Sequence, residues 1–238
     1  MAAKGSFGRS LAVGAVLGLV VVVLIAAGLY VFRGDELLGV SGSPDDMLVV
    51  LETTEADGAR VAGVIVHMVM AEDTCTVEVV DPLAQVTLPG TSYTALKDAY
   101  PFGGASSVAE IWADAEDRET PAWVALPEAV WGEIVDREGG VVLDVPNPVN
   151  VYADGEFVAI PAGAAQRLDS LAIRGLIADV VFNTDAGYAD EMRIGIGTAL
   201  SGALRANWDA VADAVVEGRA KSNVSTEALA GLCEQLRD

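Results

Sequence analysis

Apolar positions along this chain change period several times, and each change marks a predicted element. Residues 47–52, 61–70 and 76–80 are short runs rich in Val, Ile and Met, set apart by Asp- and Gly-containing segments. That is the pattern of consecutive strands in an antiparallel meander. Residues 107–115 and 127–137 switch to helical spacing, the second with Val130, Trp131, Ile134 and Val135 on one face and Pro127 at its first turn. Residues 123–126 between them fit a strand. Gly139 and Gly140 predict a turn, followed by a strand that Pro146 stops, and residues 151–160 read as a hairpin around Asp154 and Gly155. Residues 168–177 turn helical, residues 180–182 read as a short strand, and residues 191–216 keep helical periodicity. Each of Gly195, Gly197 and Gly202 costs that last helix about 1 kcal/mol relative to alanine, so the three predict close packing or a break. Ser225 is placed to cap a final helix, with Glu227 near its positive end and Leu229, Leu232 and Leu236 on its buried stripe.

Ahead of these elements lies a different pattern. The 22 residues 11–32 carry no charge and consist almost wholly of Leu, Val, Ala, Ile and Gly. At about 1.5 Å per residue they reach about 33 Å, against a hydrocarbon core of about 30 Å. The expectation is one transmembrane helix, with Ala26, Ala27 and Gly28 leaving signal-peptidase removal as the alternative. Lys4 and Arg9 precede the span, which predicts a cytoplasmic stub at residues 1–10 and an extracytoplasmic C-terminal bulk. Residues 33–44 read as a linker and 45–238 as one folded domain. Strands alternating with helices predict an α/β domain whose mixed central sheet is covered by helices.

Charge narrows the partners. Lys4 and Arg9 lie before the span, so 12 of the 14 basic residues face all 35 acidic ones beyond it. Such a surface repels nucleic acid and other polyanions and excludes a nucleic-acid-binding role. Cys75 and Cys233 are too far apart for a local redox or zinc motif, and a bridge between them is left open. The single histidine, His67, lies in an apolar run and is expected to pack within a strand, without a second base of its type for triad chemistry. Trp112, Trp123, Trp131 and Trp208 all fall in predicted elements and are expected in the core.

The order of several short motifs resembles the LytR-CpsA-Psr family. DDMLVV at 45–50 looks like that family's acidic residue ahead of the first strand, and VVDPLAQV at 79–86 looks like its "SIPRD" strand and turn. LKDAYPFGG at 96–104, IVDREGGVVLDVP at 134–146, and IPAG at 160–163 with LD at 168–169 follow in the family's order. The resemblance implies a membrane-anchored enzyme of the Gram-positive cell envelope that moves polymers from a polyprenyl-pyrophosphate carrier onto the cell wall. It further implies magnesium, with Asp46 as a ligand, and an apolar cavity for the polyprenyl chain.

The chemistry departs from that pattern. Diphosphate handling favours arginine, whose planar fork binds two phosphate oxygens while staying charged. The "PRD" position here reads Pro82-Leu83-Ala84, and the two arginines expected near residues 182–184 are missing. In the stretch similar to "DxxRxxRQ", Asp190 and Arg193 match while Ile196 and Gly197 replace the rest. Arg193 and Asp190 are the candidate substrate contacts, Arg193 the candidate catalytic cation, with a solvated helix surface as the alternative for Arg193. Asp81 is offset by an odd number of strand positions and does not inherit the missing carboxylate. The expected role is a degenerate site that binds or regulates. The alternatives are a rebuilt phosphotransferase and a plain interaction scaffold.

Overall fold

The computed structural model describes residues 44–55, 58–71, 74–153, 155–182 and 185–235. The expected stub, membrane span and most of the linker lie outside the described residues, as do Leu236 and the side chain of Cys233. No described helix is long and apolar enough to cross a membrane.

Three strands open the domain as the meander pattern predicts: β1 (Asp46–Thr54), β2 (Arg60–Ala71) and β3 (Thr74–Val80), antiparallel in sequence. A short 3-10 turn (Leu96–Ala99) leads into α1 (Tyr100–Ala115), and β4 (Ala122–Leu126) then returns parallel to β1. With β9 (Lys221–Ser222) the sheet runs β3-β2-β1-β4-β9 and is mixed, as expected. Side chains alternate across it. Met47, Val49 and Leu51 face one layer and Leu48 and Val50 the other. The second layer is α1 with its preceding turn, packing Leu96, Val108, Ala109 and Trp112. The first is built by α2 (Glu128–Arg137), α3 (Ser170–Phe182), α4 (Ala186–Ala206), α5 (Trp208–Val216) and α6 (Thr226–Gln235). Two small ribbons flank this layer: β5 (Val141–Val145) with β8 (Gly163–Leu168), and β6 (Val149–Ala153) with β7 (Glu156–Ile160). All four tryptophans are buried, and Trp131 donates its indole N–H to the Glu52 carbonyl at 2.9 Å.

Several expectations are corrected. Residues 180–182 are the last turn of α3, because Ile173, Leu176, Ile177 and Val180 recur at helical spacing on one buried face. Residue 168 ends β8, a strand the turn-rich sequence concealed, so the helix begins at Ser170. The long helical run is two helices, and the break falls at Asn207 (φ −123°, ψ 35°), not at a glycine. Asn207 donates its amide to the Ala203 carbonyl at 2.9 Å and to Glu138 at 2.8 Å, the side-chain competition that ends helices. Gly195 and Gly197 do mark close packing, since a Cβ there would press on Leu143 and Val79, whereas Gly202 faces open space. Ser225 accepts the Ala228 amide at 3.2 Å, as a capping residue should.

Candidate functional site

β1, β3 and β4 run in one direction, so their carboxyl ends meet at one edge of the sheet, where ligands of open α/β sheets commonly bind. A cavity of about 340 Å³ opens there, lined by Thr53, Thr54 and Glu55 from the end of β1, Pro82 beyond β3, Lys97, Glu128, Tyr152 and Arg174. This is within the small-ligand range of about 300–1,000 Å³.

Local backbone needs place these groups. Between Leu51 and Glu52 the β1–β2 register slips, and Gly63 is the extra residue of the bulge. A Cβ at Gly63 would collide with the Thr53 side chain, so only glycine lets the strand end close here. Lys97 rides on the 3-10 turn, which is anchored by the Leu96 amide to the Ala84 carbonyl (3.0 Å) and the Lys97 amide to the Pro82 carbonyl (2.8 Å). The Pro82-Leu83-Ala84 segment thus delivers a lysine from elsewhere to the cavity wall. Glu128 opens α2 and accepts the Thr54 amide at 3.1 Å with one oxygen and Arg174 of α3 at 3.0 Å with the other.

The electrostatics are those of closed pairs. Lys97 donates to Glu55 at 2.7 Å and Asp98 at 3.0 Å. Burial pulls its ammonium down, but the hydrogen bonds to the two carboxylates outweigh this and hold its pKa above the ordinary lysine value. Arg174 is paired with Glu128. Around the cavity Glu55, Asp98 and Glu128 face Lys97 and Arg174, one negative charge in excess. On α1, burial and then the adjoining Glu52 carboxylate hold the Tyr100 phenol well above its usual range, while its O–H donates to Glu52 at 2.9 Å.

Arg193 lies beside this cavity, in a side slot of about 20 Å³ walled by Val64, Ile177, Val180, Val181 and Ile196. That space holds about one water. The arginine is not a solvated helix residue: its side chain is 13% exposed and clamped between Asp81 (3.2 Å) and Asp190 (2.5 Å). Asp81 therefore has a role the sequence did not reveal, as the partner of Arg193.

Asp46 stands elsewhere. It begins β1, whereas Asp81 continues β3 at the level of Leu51, about 16 Å farther along the sheet at roughly 3.3 Å per residue. Its two oxygens are taken by His67 Nε2 at 2.7 Å and the Arg118 guanidinium at 2.6 Å. His67 is buried as expected, but with two carboxylate partners, Glu78 being the second at 3.6 Å. Arg118 lies 4.6 Å over the Trp112 ring. It is brought there by Asp117 in the left-handed region (φ +51°) and by its own amide bonding the Ala113 carbonyl. No three His, Cys, Asp or Glu side chains gather as a metal-binding group among the described residues. Around Asp46 and the cavity the described residues therefore offer no three-ligand set that fits a magnesium ion.

Sequence reasoning missed Lys97, Glu55, Glu128, Arg174 and Tyr152 as cavity residues. Lys97 lies inside the LKDAYPFGG motif at 96–104, the one signal in the sequence that points to this cavity.

No protein-family model and no curated protein matches the sequence. Solved structures do match in fold. B. subtilis TagV aligns at TM-score 0.58 and 15% identity over 82% of this chain and 80% of its own. A LytR-Csp2A-Psr enzyme from Actinomyces oris aligns at TM-score 0.60 and 16% identity, over 81% of this chain and 75% of its own. TagT bound to LIIa-WTA aligns at TM-score 0.52 and 19% identity, over 82% and 76% respectively. The described domain has the LytR-CpsA-Psr fold.

Proposed function

We propose that this chain is a cell-envelope protein of LytR-CpsA-Psr type that binds or organises cell-wall polymer and has lost polymer transfer from a polyprenyl-pyrophosphate carrier. Residues 11–32 anchor it in the cell membrane in a single pass, N-terminus inside and domain outside. The observation that carries the loss of transfer is the pairing of cations with carboxylates, Lys97 with Glu55 and Asp98 and Arg174 with Glu128 at the cavity, and Arg193 with Asp81 and Asp190 beside it. A diphosphate would have to displace carboxylates already in place, and the displaced acids would then repel it. Each charge-assisted contact forgone is worth roughly 1.5–3 kcal/mol. The fold shared with TagT bound to LIIa-WTA supports a cell-wall polymer as the ligand class.

The test is calorimetric titration of the full-length chain in detergent with a polyprenyl-diphosphate analogue, with and without magnesium. The expected result is weak binding that magnesium leaves unchanged and that Arg193→Ala leaves within twofold. Magnesium-dependent binding abolished by Arg193→Ala would overturn the proposal and establish a rebuilt transferase site.

A further inference from the structure

The β6–β7 hairpin carries two aromatic side chains that stay exposed among the described residues. Tyr152 and Phe157 are directly opposite in register, their ring centroids 4.9 Å apart, and they are 60% and 83% exposed. Paired exposed aromatics on a ribbon mark a contact surface. Tyr152 also lines the cavity and forms part of its rim, with Phe157 packed against it from outside the lining. Behind the rim lie the Thr53 and Thr54 hydroxyls and the two ion pairs, Lys97 with Glu55 and Arg174 with Glu128.

Paired charges choose their ligand. A hydroxyl group donates to a carboxylate and accepts from a neighbouring ammonium or guanidinium, so an ion pair offers it both halves of a match. An anion meets attraction from one member and repulsion from the other. Long-range electrostatics point the same way, since 35 acidic against 14 basic residues repel a polyanion. A ring with an apolar C–H face and an edge of hydroxyls fits an aromatic rim backed by such pairs. A lipid surface fits poorly, because seating Tyr152 in it would close off from water the four charged side chains that line the cavity behind it.

We propose that the cavity takes an uncharged saccharide segment of the polymer, one sugar ring lying on the Tyr152 face with its hydroxyls reaching the two ion pairs, and Phe157 backing Tyr152. This rests on the reading of the cavity as the polymer site, and it separates the ligand from an anionic polymer or a diphosphate.

The experiment uses the full-length chain in a detergent without a sugar headgroup, titrated with neutral tetrasaccharides of N-acetylglucosamine, galactose and mannose, and separately with inorganic pyrophosphate. At least one tetrasaccharide is expected to bind. Tyr152→Ala should weaken it about tenfold, Phe157→Ala about threefold, and Tyr152→Phe should stay within twofold of wild type, with unchanged circular dichroism. Binding of no tetrasaccharide to the folded chain, or equal binding by Tyr152→Ala, overturns the inference. If pyrophosphate is also ignored, the lost-transfer reading survives that failure; if pyrophosphate binds tightly while no saccharide does, both fall. A Tyr152→Trp reporter in nanodiscs quenched by nitroxide-labelled lipid would assign the rim to the membrane and overturn the saccharide assignment as well.

Discussion

The two ends of β1 carry similar chemistry and opposite packing. At the amino end Asp46 binds His67 and Arg118, and Trp112 lies beneath both, 4.8 Å from the His67 ring and 4.6 Å from the guanidinium. At the carboxyl end Glu55 and Glu128 bind Lys97 and Arg174, but the space between these pairs is a cavity of about 340 Å³. Carboxylate–cation pairing therefore does not distinguish a structural cluster from a site in this domain. The difference is what fills the space between the pairs: an indole at one end, an open cavity at the other.

The sharpest way to break the comparison is to remove the indole. Trp112→Ala should cost about 3–5 kcal/mol of stability, as large-to-small changes of buried aromatics do, and denaturant unfolding reads it directly. A loss below about 1 kcal/mol would mean that the amino end is not packed as described. Next in size is unmasking a cation at the other end. Glu55→Gln combined with Asp98→Asn removes both carboxylates from Lys97, and pyrophosphate affinity should rise at least tenfold, about 1.4 kcal/mol. An unchanged affinity would show that pairing is not what closes the site to anions. Asp46→Asn should cost about 1 kcal/mol, modest because its carboxylate is partly exposed and screened, and it should leave saccharide binding untouched. A loss of binding would tie the two ends together.

The smallest effect is alkaline. Lys97 and Tyr100 both have folded pKa values above their ordinary 10.5 and 10.0. For Lys97 burial works downward and the hydrogen bonds to Glu55 and Asp98 prevail; for Tyr100 burial leads and Glu52 adds to it. The folded chain then holds these protons more tightly than the unfolded one, so their stabilisation is complete below about pH 10 and declines above it. Unfolding midpoints should be flat from pH 7 to 9 and fall beyond pH 10, less steeply in Tyr100→Phe. A fall already complete by pH 9 would contradict this.

Much of the fold was legible because its signals are local. The apolar runs at 47–52 and 61–70 need only a pleated backbone covered on both faces to become β1 and β2, and Ser225 needs only the next turn to become a cap. Residues 180–182 misled because three apolar residues satisfy a strand and a helix equally, and only the buried face shared with Ile173, Leu176 and Ile177 decides. Asn207 misled because its competition with the backbone depends on Glu138, 69 positions away. The site was less legible. Arg193 and Asp190 were visible as neighbours on one helix, but their third partner, Asp81, lies on a different element.

By itself the sequence determined the periodicities, the excess of acid, and an order of motifs that resembles the LytR-CpsA-Psr proteins without arginines at the positions where those motifs carry them. These are properties of short windows and sums, which chain connectivity alone carries. Only the tertiary structure decided which charges neutralise one another. Lys97 meets Glu55 across 42 positions and Arg174 meets Glu128 across 46. Coulomb energy depends on separation in space and on exclusion of water, neither of which spacing along the chain specifies.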